Sequence, residues 1–387
     1  MPIKKRSGSI FVSLALAIFL FCGNIFLTSP RPVFGFTFAV MSDPQWSSDS
    51  WINSLTETRD MDINPDPKFS RAEFILVAGD TDPIDLKYEY FNEIFKDSNN
   101  KPIFLPVIGN HEFDDSGGIP GGMLMVQGSQ AQGAGGPPGQ ERQQGEGLPQ
   151  GMQGSQGAGG PPGGMPQMPG NPPGLNVEKG DPAIIDFEFI RDKIISAIPG
   201  VVRLSDKSCS YYYDYNNVRV ISIDGYSGEI GRQGVINEKG REWAEDVIKS
   251  APENIEHIFI AFHAPAFPRV RHTQDSFSAD PEQRNAFWNM LVSHRDKVRA
   301  VFVGHTHSYC RMRVLDPAGS AANDFSAYPD EEGGIYQIND GSTGNGTKNT
   351  FVLVNVEGKN IYFRVLESEN GKGQPFTVKD EWSIKGK

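Results

Sequence analysis

Five short apolar runs along the chain each break into polar residues at their carboxyl-side end. Phe36 to Met41 (FTFAVM) leads into Ser42-Asp43-Pro44-Gln45, Phe74 to Ala78 (FILVA) into Gly79-Asp80, and Ile103 to Ile108 (IFLPVI) into Gly109-Asn110-His111-Glu112. Ile258 to Phe262 (IFIAF) leads into His263-Ala264-Pro265, and Val298 to Val303 (VRAVFV) into Gly304-His305-Thr306-His307. Runs of this length, rich in β-branched and aromatic residues and bounded by Gly, Pro or Asp, predict buried strands. Open sheets carry their sites in the crevice beyond the carboxyl ends of strands, so these polar residues are expected to converge on one rim.

The pattern predicts further elements between and after these strands. Asp181-Pro182 opens a helix in which Ile184, Phe187, Ile190, Ile194 and Ile198 recur at helical spacing. Residues 85–97 and 238–249 read as surface helices, and 211–215 with 218–223 as a hairpin turning at Asn216-Asn217. Strands are expected at 335–338, 351–356 and 361–365, with Gly358 in the last turn. The stretches 46–69, 225–234, 267–279 and 315–332 read as loops around the rim.

One segment breaks the periodicity altogether. Residues 116–176 are rich in Gly, Pro, Gln and Met, nearly empty of aromatic and β-branched residues, and contain a near repeat, GSQAQGAGGPPG at 128–139 and GSQGAGGPPG at 154–163. Too little apolar surface is present to offset ordering entropy, so a disordered insertion is expected. Glycine does not recur at every third position, which excludes collagen.

The polar residues at the strand ends form a ligand inventory. Two cations roughly 3.5–4 Å apart can clamp the attacking and leaving oxygens of a phosphoryl displacement and turn a bound water into hydroxide near neutral pH. Such a pair needs one bridging carboxylate plus imidazoles, amide oxygens and further carboxylates, all of which the five fragments hold. Each fragment alone has an ordinary reading: Asp-Pro and Gly-Asp open turns, and a single His263 fits a core. Five together, each after a strand, point to a two-metal hydrolytic site.

These blocks resemble those of the calcineurin-like metallophosphoesterase superfamily, which read Asp-x-His, Gly-Asp, Gly-Asn-His-Asp/Glu, a lone His and Gly-His-x-His; the match spans about residues 36 to 310. The resemblance implies an α/β fold, a four-layer sandwich of two facing mixed β-sheets flanked by α-helices. It implies that Asp43, Gln45 and His307 hold one metal, that Asn110, His263 and His305 hold the other, and that Asp80 bridges them. His111 would then be no ligand but a catalytic residue over the substrate phosphate. The cofactors implied are two divalent or trivalent ions drawn from Mn, Fe, Zn, Mg or Ca, and the substrate a phosphate ester, mono- or diester. Gln45 departs from the usual histidine; an amide oxygen favours oxygen-preferring metals such as Mn²⁺, Mg²⁺ or Ca²⁺. A purple-acid-phosphatase-like branch has a first block resembling Asp-Pro-Gln. Pro83 stands where purple acid phosphatases place an iron-binding tyrosine, which argues against a purple ferric centre.

Composition bounds the rest. Within 387 residues the formal net charge is −12, against the broad basic surface of a nucleic-acid binder. Lys4, Lys5 and Arg6 precede an apolar stretch from Ile10 to Leu27, the layout of an export signal or an uncleaved membrane anchor within residues 1–35, ahead of a domain at 36–387. The expected location is outside the cytoplasm: periplasmic, extracellular or membrane-anchored. Cys209 and Cys310 either pair or stay reduced in a core. Arg269 and Arg271 either orient a substrate anion or lie in a solvated loop; Trp46 and Trp51 either stack on a nucleobase or sit partly buried, the commoner case. The expected activity is a metal-dependent phosphoesterase, with a catalytically weak or inactive phosphoesterase-fold surface scaffold as the alternative. A cytosolic phosphoprotein phosphatase is disfavoured by the export layout.

Overall fold

The computed structural model describes residues 35–61, 66, 68–98, 100–112, 182–320, 331–344 and 346–386. The predicted export segment and the Gly/Pro/Gln-rich stretch at 116–176 lie outside the described residues. In chain order the strands are β1 (Phe36–Met41), β2 (Ala72–Val77), β3 (Ile103–Pro106), β4 (Val202–Arg203), β5 (Tyr211–Tyr215), β6 (Val218–Ser222), β7 (Gly231–Arg232) and β8 (Val235–Ile236). They continue as β9 (His257–Ala261), β10 (Val298–Val303), β11 (Cys310–Val314), β12 (Ile335–Asn339), β13 (Asn349–Glu357), β14 (Asn360–Ser368) and β15 (Thr377–Ile384). One six-stranded sheet runs β15-β14-β13-β1-β2-β3 and a seven-stranded sheet runs β11-β12-β10-β9-β6-β5-β4, while β7 and β8 pair by themselves.

All five predicted site strands lie inside these sheets, and within each sheet they run in parallel. β2 pairs parallel with both β1 and β3, and β9 with both β6 and β10. Parallel strands covered on both faces read as continuous apolar runs, which is why these five are so plain in the sequence. Side chains alternate between faces at period two. Phe259, Ala261, Ala300 and Phe302 enter the core shared with the first sheet, whereas Ile258, Ile260, Val301 and Val303 enter a second core beneath helices. Phe38 anchors the first interface: its ring stacks on Phe74 at 4.5 Å and meets Phe259 edge-on at 5.2 Å and Phe302 at 6.2 Å.

Helices close both outer faces. α1 (Ser48–Asp60) and α2 (Ile84–Ile94) bring Trp51, Leu55 and Phe91 into the first core, which α3 (Pro182–Phe189) joins through Phe187. α4 (Glu238–Lys249) and α5 (Pro281–Ser293) cover the second sheet with Ala244, Val247, Phe287, Trp288 and Leu291. The result is two facing mixed sheets flanked by helices, the four layers expected. Asn237 caps α4 by accepting from the Gly240 amide, and Asp280 caps α5 by accepting from Gln283, each satisfying one orphan donor of a helix start.

Several sequence expectations need correction. The 46–69 stretch is not a plain loop, because α1 occupies most of it. Its inner face buries Ser50, Asn53, Ser54 and Thr58, a polar stripe that hydrophobic periodicity does not register. Thr58 Oγ1 donates locally to the Ser54 carbonyl at 2.8 Å, but others reach distant partners: the Ser54 hydroxyl donates to Asn349 Oδ1 at 2.8 Å and Asn53 Nδ2 to the Gln374 carbonyl at 2.9 Å. The helix opened by Pro182 is not uniform either; α3 gives way to a π turn at Ile190–Ile194 and a 3₁₀ turn at Ile195–Ala197. The wider turn lets Ile190, Ile194, Ile195 and Ile198 all reach the core. Cys209 and Cys310 are free buried thiols in different cores, so they do not pair.

Candidate metal centre

The site begins with backbone turns. Asp43, Asp80, His305 and His307 each have positive φ (48°, 56°, 70° and 50°), placed where their strands end. Left-handed backbone is uncommon for residues other than glycine and costs on the order of 1–3 kcal/mol per position, so its repetition at one rim marks a functional constraint. The turns are laced together: the Asp43 amide donates to the Gly79 carbonyl at 3.0 Å, the Gln45 amide to the Asp80 carbonyl at 3.2 Å, and the Gly304 amide to the His263 carbonyl at 2.9 Å. Glycine is needed at 304 because a Cβ there would lie 2.6 Å from Asp43 Oδ2.

All seven sequence-predicted ligands are brought together. Asp80 Oδ2 lies 3.1 Å from His263 Nε2 and 3.2 Å from Gln45 Nε2. His263 Nε2 is also 3.1 Å from Asn110 Oδ1, while its Nδ1 is held at 2.8 Å by the Ala78 carbonyl. His307 Nε2 lies 3.2 Å from Asp43 Oδ1 and 3.5 Å from Gln45 Nε2. The His305 amide donates to both carboxylate oxygens of Asp43 at 3.1 Å, joining the two sheets directly above the core. Two ligand groups result, each with donor atoms within 4.8 Å of one another: Asp43, Asp80 and His307, and Asp80, His263 and His305. Asp80 belongs to both.

The donor set fits a pair of cations. His305 Nε2 and Gln45 Oε1 are buried with no hydrogen-bond partner among the described residues, an arrangement that costs free energy unless something else is bound. Gln45 presents Nε2, not Oε1, toward Asp80 and His307; a half-turn of the amide exchanges the two and supplies an oxygen donor. His305 is pushed well below the usual histidine range, by burial first and then by the neighbouring imidazoles, which keeps its nitrogen lone pair free. Burial opposes charge on His263 as well, but Asp80 beside it raises it to about 10. Burial would raise Asp80 itself, yet His263, His111 and His305 hold it below the ordinary carboxylate range.

His111 stands at the edge of this cluster, outside both ligand groups. Its Nε2 is 4.0 Å from Asp80 Oδ2 and its Nδ1 is 3.6 Å from Asp82 Oδ1, while its side chain stays 34% exposed. The Asp82 interaction raises it to about 9, with burial opposing and the Asp80 carboxylate adding to the rise.

Some contributors escaped sequence reasoning. Glu112 was visible in Gly-Asn-His-Glu without a role; fully buried, its carboxylate accepts from the amides of Gly109 at 2.7 Å, Asp80 at 3.1 Å and Thr81. It fastens the Asp80 turn to the Asn110 turn. Burial, followed by Asp80 and Asp82, raises it to about 8. His272 has φ of 58° and lies against His305 with ring centres 4.0 Å apart and planes tilted by 36°; with Asp275 and His305 it forms a third group. No short motif announces it. Arg271, expected either near substrate or in a solvated loop, places Nη1 3.0 Å from His307 Nδ1. Of the two loop tryptophans, Trp51 is fully buried with Nε1 donating to the Lys87 carbonyl at 3.1 Å, whereas Trp46 is 75% exposed beside the site.

The same architecture recurs among solved structures. A dimetal phosphatase from Danio rerio superposes over 92% of this chain and 100% of its own, with TM-score 0.51 and 12% identity. A purple acid phosphatase from yellow lupin (Lupinus luteus) seeds superposes over 92% of this chain and 55% of its own, with TM-score 0.52 and 13% identity. PhoD superposes over 92% of this chain and 71% of its own, with TM-score 0.51 and 10% identity. No protein-family model matches the chain, and no curated protein matches it by sequence. The fold is that of the calcineurin-like metallophosphoesterases, and the described residues include side-chain groups that could hold a metal ion at the rim of the two sheets.

Proposed function

We propose that this chain is a metal-dependent phosphoesterase that hydrolyses a phosphate ester at a two-metal centre. The observation that carries the reading is Asp80, whose carboxylate is shared by two ligand groups that otherwise have no member in common. Asp43, Gln45 and His307 complete one group; Asn110, His263 and His305 complete the other. Ions bound there would supply Lewis-acid polarisation of the ester and an activated water. The chain supplies orientation around them. The Ala78 carbonyl fixes the His263 ring by accepting from Nδ1, leaving Nε2 free toward the cluster. Glu112 holds the Asp80 backbone, and Asp82 favours the charged form of His111, which is positioned to hold a proton for the departing oxygen.

We also take residues 1–35 as an export segment, supported by Lys4, Lys5 and Arg6 ahead of the apolar stretch 10–27, so that the domain works outside the cytoplasm. Fractionation of the producing cell tests this; recovery of the intact chain in the soluble cytosol overturns it.

The function is tested by hydrolysis of a chromogenic phosphomonoester and the matching diester by the full chain, stripped of metal and titrated with Mn²⁺, Zn²⁺, Fe²⁺, Mg²⁺ and Ca²⁺. Activity restored by metal in the wild type and absent in Asp80→Asn supports the proposal. A folded chain that binds metal and turns over neither ester refutes it and leaves a binding scaffold as the reading.

A further inference from the structure

Trp46 follows Gln45 directly and precedes Ser47, the residue that caps α1 by accepting from the Ser50 amide at 3.3 Å. An apolar side chain at that position ordinarily packs on the fourth helical residue as a hydrophobic staple. The fourth residue here is Trp51, and the staple is not made: Trp51 is wholly buried among the core aromatics, while Trp46 is 75% exposed. Its backbone is also left-handed, with φ of 71°, a conformation a bulky side chain adopts only under constraint. The contact it does make is with the site. Its ring centre lies 6.4 Å from that of His111, at 79°, an edge-on approach.

An indole held in a strained turn, exposed, outside the core and beside the residue assigned to the leaving group calls for an external partner. We propose that Trp46 is a specificity-determining residue that stacks on a planar ring in the leaving group of the ester, so that aryl or nucleoside phosphates are preferred over aliphatic ones. This rests on the phosphoesterase reading of the site. The attraction is dispersion and π-stacking on an open indole face, tolerant of ring type because every such ring presents a π-face. Gln45, His111 and Asp82 beside it are polar or charged, so among these neighbours Trp46 supplies the open apolar face.

The test measures kcat/KM of the metal-loaded full chain for phenyl phosphate, a nucleoside 5′-monophosphate and glycerol phosphate, in wild type, Trp46→Ala and Trp46→Phe. Within each protein, the ratio of each ring-bearing substrate to glycerol phosphate is compared. Trp46→Ala is expected to lower that ratio about tenfold, and Trp46→Phe to retain most of it. A fall for phenyl phosphate alone assigns the surface to simple aryl esters, a fall for the nucleotide alone to nucleobases. A ratio unchanged by Trp46→Ala overturns the proposal. Should wild type hydrolyse none of the three, monoester turnover is excluded, the diester assay decides the phosphoesterase reading, and stacking is then read by equilibrium titration. Phenylphosphonate bound about tenfold more tightly than methylphosphonate by wild type, and equally by Trp46→Ala, upholds the ring site; no preference in wild type overturns it.

Discussion

Glu112 offers the sharpest test of how the rim is built. Its carboxylate lies in the interior with no exposed surface and accepts from three backbone amides, those of Gly109, Asp80 and Thr81. Glu112→Ala leaves all three donors buried without a partner, and an orphaned buried donor costs about 1–3 kcal/mol. The loss is therefore about 3 kcal/mol at least, a large part of the ~5–15 kcal/mol that holds a typical protein together. Glu112→Gln keeps the shape and one oxygen but sets an amide NH₂ against one donor, for a loss of about 1–2 kcal/mol. Guanidinium unfolding of the metal-free full chain, followed by tryptophan fluorescence and far-UV circular dichroism, reads both variants. The expected order is wild type, Gln, Ala. The reasoning is refuted if Glu112→Ala lies within about 1 kcal/mol of wild type, or if Gln is as damaging as Ala.

Gly109→Ala would set a methyl group against Asp80 Oδ1 and the Asp80 amide; metal affinity measured by isothermal titration calorimetry is expected to fall at least about tenfold with the circular dichroism spectrum retained. Metal at a hundred times its dissociation constant should stabilise the folded chain by about 2.7 kcal/mol, read as a rise in unfolding midpoint that Asp80→Asn abolishes. Lys87 is 1% exposed, and burial lowers it from its ordinary value to about 8 although Asp82 opposes this. The unfolded chain then binds more protons than the native one between pH 8 and about 10.4, so this residue makes stability rise with pH across that window. Lys87→Met is expected to remove that rise and to leave the protein at pH 7 as stable as wild type or more so, measured by thermal unfolding against pH.

How much of this was legible depends on whether a residue signals locally. The site strands were plain because parallel strands buried on both faces have no polar alternation to dilute the signal, and Asp43, Asp80, His263, His305 and His307 follow them at once. α4 was plain for the opposite reason: Ala244, Val247 and Ile248 make an apolar stripe between charged positions. α1 was hidden because only Trp51 and Leu55 of its six buried residues are apolar, and the partners of the polar ones, Asn349 and Gln374, lie some three hundred residues away. β11, β15 and α5 were likewise missed; in β15 only Val378, Trp382 and Ile384 are apolar. Glu112 could be seen but not assigned, since its role is to hold main-chain amides on another turn. His272 and Trp46 owe their positions to loop conformation, with positive φ at both, and no periodic pattern specifies that.

The seven proposed ligands divide unevenly between the two sheets. Every oxygen donor, from Asp43, Gln45, Asp80 and Asn110, follows a strand of the six-stranded sheet, and every imidazole follows β9 or β10 of the other. The first sheet also closes late in sequence terms, since β1 pairs with β13, with Val40 opposite Val352. Contacts so distant along the chain are slow to form. During folding, neither sheet by itself would hold a mixed oxygen and nitrogen shell: one half is an acidic, hard-donor patch and the other a set of imidazoles that repel one another when charged. Tight metal uptake in a refolding experiment would consequently lag behind secondary structure and appear only when the sheets dock, which makes the ion a clock for the last step of assembly.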